Sequence, residues 1–263
     1  MTTRSWDPTE LADLVRRRAD DLDGAPTVLH VGSLERPARR AFVGRASEHD
    51  LGADVAQALT ALARLADSTV FVVGSLVQAL TLMSLTGERD LLLGTPANGR
   101  DDPSLERVVG MFVETAVLRV DAADDPTILD LARAHARQVL GVTSAPVPLA
   151  SLVDVVAPER RPGTNPLVQV LFAHDHDAGT PLALDGLRVT PVTAAQDTSK
   201  FDLFVTLDTS DGGARLVVER AADALTDEDV AQLVDTYRRV VLAASHDPRA
   251  TVSTTLATAG QDA

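Results

Sequence analysis

The sequence predicts an α/β layer structure, on three observations. Segments with apolar residues at helical spacing recur through the first two thirds of its 263 residues. Short apolar runs bounded by Gly, Pro and Asp separate them, and the last third reads mostly as strand. Neither an internal repeat nor a long linker interrupts the chain, so a single domain spanning 1–255 with a disordered tail at 256–263 is expected.

The elements follow from local chemistry. Asp7-Pro8 ahead of ELADLVRRRADDL starts a helix, with Asp7 as cap and Pro8 in the first turn. Gly24 to Pro37 is loop-rich around a short apolar strand, Thr27–Val31. Leu51–Ala66 has amphipathic spacing. Thr69–Leu85 is apolar enough to approach a membrane span, but Gly74, Ser75, Gln78, Thr81 and Ser84 interrupt it, and it reads as a buried helix ended by Gly87. Leu91–Leu93 and Val117–Val120 are short strands on either side of the Gly110–Phe112 bend. Thr127–Leu140 is a helix with Leu129, Leu131, Ala132, Ala136 and Val139 inward, which leaves His135 at its surface or boundary. Leu167–Phe172, Leu187–Val192 and a hairpin of Phe201–Asp208 with Arg215–Glu219 follow. Thr226 with Asp229 three residues on opens a closing helix, and the small, polar stretch after Pro248 is expected to fray.

Composition narrows the function. With no cysteine the chain has no disulfide, thiol nucleophile or cysteine-held metal. A formal charge of −14 lacks the basic footprint of a nucleic-acid binder. That charge also repels an acidic protein partner unless Arg16–Arg18 or Arg36–Arg40 forms a local patch; solvated helix ends and loops are the preferred reading of both. The N-terminus has no apolar stretch of the kind a signal peptide needs, so a soluble, cytoplasmic chain with no membrane partner is expected.

Four segments, in order, carry a resemblance. They are Asp90–Arg119 (DLLLGTPANGRDDPSLERVVGMFVETAVLR), Thr143–Val153 (TSAPVPLASLV), Arg160–Phe172 (RRPGTNPLVQVLF) and Ser199–Leu203 (SKFDL). Together they resemble the second half of a nonribosomal peptide synthetase condensation domain, whose runs read GxFVNTLxL, HQDxPFExLV and RDxSxNPLxQVxF. The resemblance implies a single C-terminal-type lobe of a chloramphenicol-acetyltransferase-like fold, with a mixed sheet and flanking helices. It implies no cofactor, and substrates tethered by phosphopantetheine to a carrier protein. The family's catalytic HHxxxDG is nowhere in these residues, and no two of the six histidines are adjacent. No catalytic residue is therefore assigned, and the chain is not expected to condense substrates by the family's route alone. The expectation is a non-catalytic accessory that binds a peptidyl carrier protein or synthetase module. The alternative is the C-terminal half of a split condensation enzyme, paired with an N-terminal-lobe partner bearing HHxxxDG. Self-association through the junction face is a third arrangement.

The candidate channel or junction residues are Arg100, Gly110, Glu114, Arg160 and Asn165. Arg100 tying its own loop down through carbonyls or a carboxylate is preferred to a substrate contact. Glu114 stands where the resemblance places Asn, and a carboxylate only accepts where an amide both donates and accepts. In the RDxSxNPL run Arg160, Asn165, Pro166 and Leu167 persist, while Arg161 and Gly163 replace Asp and Ser, so a polar network near the channel is expected to be eroded. His174-Asp175-His176-Asp177 alternates potential metal ligands at a strand end, but a solvated loop is the preferred reading. Lys200 is the only lysine, which an Arg-biased composition explains without catalysis.

Overall fold

The computed structural model describes residues 7–100, 103–176, 184, 186, 187, 189, 197–210 and 212–261. In chain order these form α1 (Pro8–Asp20), β1 (Gly44–Asp50), α2 (Ala53–Leu65), α3 (Val70–Thr86), β2 (Asp90–Asn98), β3 (Val113–Asp121), α4 (Ile128–Ser144), α5 (Leu149–Val156), β4 (Val170–Asp175), β5 (Leu203–Asp208), β6 (Arg215–Ala221), α6 (Asp227–His246) and α7 (Val252–Gln261). The described strands make one six-stranded sheet in the order β1-β6-β5-β4-β2-β3. β4 pairs in parallel with β2 and β5, and every other pair is antiparallel. This is the mixed α/β architecture the sequence predicts.

Side-chain alternation along the strands feeds a core on each face. Leu91, Leu93, Leu118, Phe172 and Val205 pack in one cluster with residues of α2, α3, α4, α6 and α7. Leu92, Val117 and Leu171 face the other way, into a smaller cluster with α1 and α5. α3 is the central helix: its residues from Val72 to Met83 are all buried. Among the described residues no single helix is long and apolar enough to cross a membrane.

The capping expectations hold. The Asp7 carboxylate accepts from the N–H groups of Thr9 and Glu10, Gly87 closes α3 in the left-handed conformation, and Thr226 and Asp229 form a reciprocal capping box on α6.

Several expectations are corrected. Thr27–Val31 is not a strand; the Leu29 N–H donates to the Gln169 Oε1 at 2.8 Å, so a side chain replaces a ladder partner. β1 has no apolar alternation to announce it, because it is an edge strand with mostly polar residues, defined by its pairing with β6. Helix α5 lies where the sequence offered only packing residues. The tail is ordered as α7 through Gln261, because Val252, Leu256 and Ala259 fall on one helical face and bury it. His135 is 3% exposed, packed between α4 and α3 with its Nε2 2.8 Å from the Ser75 Oγ. The expected strand Leu187–Val192 lies largely outside the described residues.

Candidate functional site

The parallel strands give the sheet two poles, and the five candidate residues divide between them. Arg160 and Asn165 lie at the N-terminal pole, before β4. Arg100, Gly110 and Glu114 lie at the C-terminal pole, where β2 ends and β3 begins. The structure therefore does not gather them into one site.

At the N-terminal pole three loops are stitched by polar side chains. The Asn165 amide donates to the Lys200 carbonyl at 2.6 Å. Gln169, 1% exposed, donates to the Thr27 and Asn165 carbonyls and accepts from Leu29. Arg36 reaches Asp202, the Leu29 carbonyl and the Thr164 hydroxyl, while Arg40 meets Asp202 at 3.5 Å and donates to the Lys200 and Phe201 carbonyls. Burial pushes the Asp202 carboxyl above the usual carboxylate range, and first Arg36, then Arg40, pulls it back.

The carboxylate at this pole comes from a distant segment: Asp202 of SKFDL is held by Arg36 and Arg40. Arg161 instead pairs with Glu159 at 2.9 Å on the surface. Gly163 has φ +71°, and a Cβ there would meet the Pro37 carbonyl oxygen at 2.1 Å, so the Ser of the motif would not fit. The expectation that Arg36–Arg40 is a solvated loop fails for Arg36 and Arg40, whose side chains are 9% and 5% exposed, and holds for Arg39. Arg18 likewise turns inward, onto the Gly141 carbonyl. Arg39, Arg160, Arg161 and Lys200 remain exposed around the stitched loops.

The C-terminal pole is built differently. The Arg100 guanidinium donates to the carbonyls of Leu105, Val108 (2.8 Å) and Gly110 (3.0 Å), and lies 4.2 Å from the centre of the Phe112 ring. The Gly99 N–H closes the loop on the Phe112 carbonyl. Arg100 therefore does tie this loop down through carbonyls. The braced loop and the first residue of β3 hold Val109, Met111 and Val113 at 98%, 69% and 57% exposure. Glu114 follows, half-buried, its carboxyl raised above the usual range by loss of solvent.

Beside this loop the pairing of β2 with β4 is short. β2 and β4 share a single bridge, Gly94↔Leu171, whereas β4 and β5 stay in register from Val170↔Leu203 to Asp175↔Asp208. Two residues explain it. A Cβ on Gly94 would meet Val168 at 2.5 Å, so only glycine allows the contact, and Pro96 has no N–H to extend the ladder. On β4, His174 bonds the Thr209 hydroxyl at 2.8 Å, and its ring lies 6.0 Å from that of His176. Burial, then His176, lowers the His174 pKa. Asp177 lies outside the described residues, and among those described no group of three His, Asp or Glu side chains is set to hold a metal.

Sequence reasoning missed Asp202, Arg36, Arg40 and Gln169. Their partners lie up to 166 positions away (Arg36 to Asp202), and no spacing rule connects them. The one available signal was four charged or polar residues beside apolar runs with no local partner.

Solved structures share this fold. The X-domain from teicoplanin biosynthesis matches with a TM-score of 0.80 and 22% identity, over 92% of this chain and 56% of that one. The same domain has also been solved in complex with OxyB. A four-domain nonribosomal peptide synthetase bound to AMP and glycine matches with a TM-score of 0.83 and 20% identity, over 95% of this chain and 20% of that one. The Condensation domain family model matches residues 21–263, and the chain belongs to that family. Malpinin synthetase of Mortierella alpina is 33% identical over 73% of the chain, and surfactin synthase subunit 1 of Bacillus subtilis 32% identical over 76%. The chain spans only 2% and 6% of those two proteins.

Proposed function

We propose that this chain is a docking and positioning element of nonribosomal peptide synthesis that does not itself condense substrates. The observation that carries the reading is the condensation-family framework with exposed basic residues gathered at one pole of its sheet. Family membership supports work beside carrier-bearing modules, and the X-domain solved with OxyB is a precedent for a related fold in complex with another protein. In a chain of net charge −14, exposed Arg39, Arg160 and Lys200 supply a local complement for an acidic carrier protein. The chain itself needs no cofactor in this reading.

The test is titration of the purified chain with carrier proteins and modules of its own pathway. Saturable binding that weakens with salt, and that Arg160→Glu with Lys200→Glu removes, is expected. Binding to none of them overturns the reading.

Apolar Val109, Met111 and Val113 favour a second reading, in which a protein carrying HHxxxDG covers the C-terminal pole and completes a condensation enzyme. Co-expression with such a protein would then give a one-to-one complex that forms amide bonds from two carrier-bound thioesters. A second copy of this chain in its place would show as a dimer by light scattering.

A further inference from the structure

β3 ends the sheet and has β2 on one side only. Its register with β2 decides which backbone groups are left over. The Ala122 N–H donates to the Arg89 carbonyl at 2.7 Å, and the Gly99 N–H to the Phe112 carbonyl at 3.1 Å. Even-numbered residues of β3 therefore bond β2, and odd-numbered ones turn their N–H and C=O outward. Pro96, which has no N–H, accordingly stands opposite odd-numbered Thr115. Among the described residues no hydrogen bond reaches the outward backbone groups of Arg119 or Asp121.

A cavity of about 260 Å³ lies at that stretch, lined by residues 119–121 of β3 and by Ala134, His135 and Gln138 of α4. Its rim, Asp121 and Ala134, is exposed. Farther back along the edge, at Thr115 and Val117, Arg18 bridges α1 to the Gly141 carbonyl of α4 and only about 20 Å³ remains. The accessible part of the edge is therefore Arg119 to Asp121.

Two buried acceptors of the lining lack a donor. The Ser75 hydroxyl gives its one hydrogen to the Val72 carbonyl, so the His135 Nε2 donates to Ser75. Burial keeps the ring neutral, which leaves a lone pair on its Nδ1. Neither that Nδ1 nor the Gln138 Oε1 has a hydrogen-bond partner, and two acceptors cannot bond each other. The charge nearby is negative. Asp90, Asp121 and Asp23 surround Arg119, whose Nε and Nη2 are already taken by Asp90 at 3.0 and 2.8 Å. Arg133 turns away to the Leu65 carbonyl, and Arg137 does not line the cavity.

We infer that this edge docks a basic extended segment of another protein, which adds to β3 at Arg119–Asp121 and places a lysine side chain under α4. The segment's own N–H and C=O pair with the outward groups of Arg119 and Asp121. Strand alternation sends its ammonium toward the His135 Nδ1 and the Gln138 Oε1, and the surplus of carboxylates selects a cation. Such a partner is opposite in charge to the acidic carrier proposed above, so the two readings stand separately.

The test is titration with the blocked peptide acetyl-Val-Lys-Val-amide, followed by proton–nitrogen NMR. At saturation the backbone amides of Arg119 and Asp121 should shift and exchange more slowly. Those of Leu118 and Val120, already bonded to β2, should stay unchanged. Norleucine in place of the lysine should weaken binding roughly tenfold, the equivalent of one charge-assisted hydrogen bond, and N-methylation of the peptide's backbone should abolish it. Gln138→Leu should weaken the lysine peptide. Asp121→Asn, an exposed change that leaves the core intact, should weaken the lysine peptide and spare the norleucine one. No shift with the lysine peptide, equal binding of both peptides, or an Asp121→Asn loss shared by both overturns the inference. So does slowed exchange at Arg119 and Asp121 that depends only on the chain's own concentration, since a second copy would then cover the edge.

Discussion

The two poles of the sheet differ in how they meet their polar groups. At the N-terminal pole Asp202, Arg36, Arg40, Gln169 and Asn165 bind one another and the loop carbonyls, so three segments distant in sequence are fixed together. At the C-terminal pole one arginine braces one loop, β2 and β4 share a single bridge, and apolar side chains face solvent. Stability is invested in the first and accessible surface in the second.

The largest expected effect breaks the stitched pole. Asp202→Ala leaves two buried guanidiniums without their carboxylate and should cost about 3–5 kcal/mol, read from urea unfolding. A loss under about 1 kcal/mol would mean that the carbonyl bonds of Arg36 and Arg40 suffice, and the contrast between the poles would weaken.

Next comes the core between them. Burial holds the His135 pKa at about 4, below its ordinary 6.5, so the neutral ring is the folded form. Between these values the unfolded chain binds the extra proton. Stability should therefore fall as pH drops from 6.5 toward 4, by up to roughly 3 kcal/mol, and be independent of this group above 6.5. Unfolding curves across that range check it, and His135→Gln should flatten them.

Arg100→Met sharpens the comparison. Loss of the three carbonyl bonds and the Phe112 contact should cost about 1–3 kcal/mol, with faster amide exchange confined to residues 99–112. Arg100→Lys should not restore it, because an ammonium lacks the planar fork. Exchange that also rises around Asp202 would show the poles to be coupled.

Glu114→Gln is the smallest. Desolvation raises the Glu114 pKa, so the charged form is disfavoured in the folded chain. Removing the charge should add on the order of a few tenths of a kcal/mol at neutral pH, with the gain disappearing as pH falls and Glu114 itself becomes neutral. A loss at pH 7 would mean that the carboxylate has a partner that an amide cannot serve.

Local rules made much of the fold legible. The caps at Asp7, Gly87 and Thr226, the buried helix α3, and the hairpin of β5 and β6 all follow from residues within one or two turns of each other. Of the candidate site, the carbonyl brace by Arg100 was legible because its acceptors lie within ten positions. The family, and with it the mixed sheet, was legible from four ordered segments.

What the sequence determined by itself was the set of elements with strong local signals, because periodicity and capping act over a few residues. Only the tertiary structure decided the rest. β1 exists because β6 offers it a ladder, and His135 is buried because α3 covers it. Asp202 takes Arg36 and Arg40 as partners because three loops converge at one end of a sheet. Those outcomes depend on which groups meet across the fold, and a charge or an edge strand acquires its role only when a distant segment arrives to satisfy it.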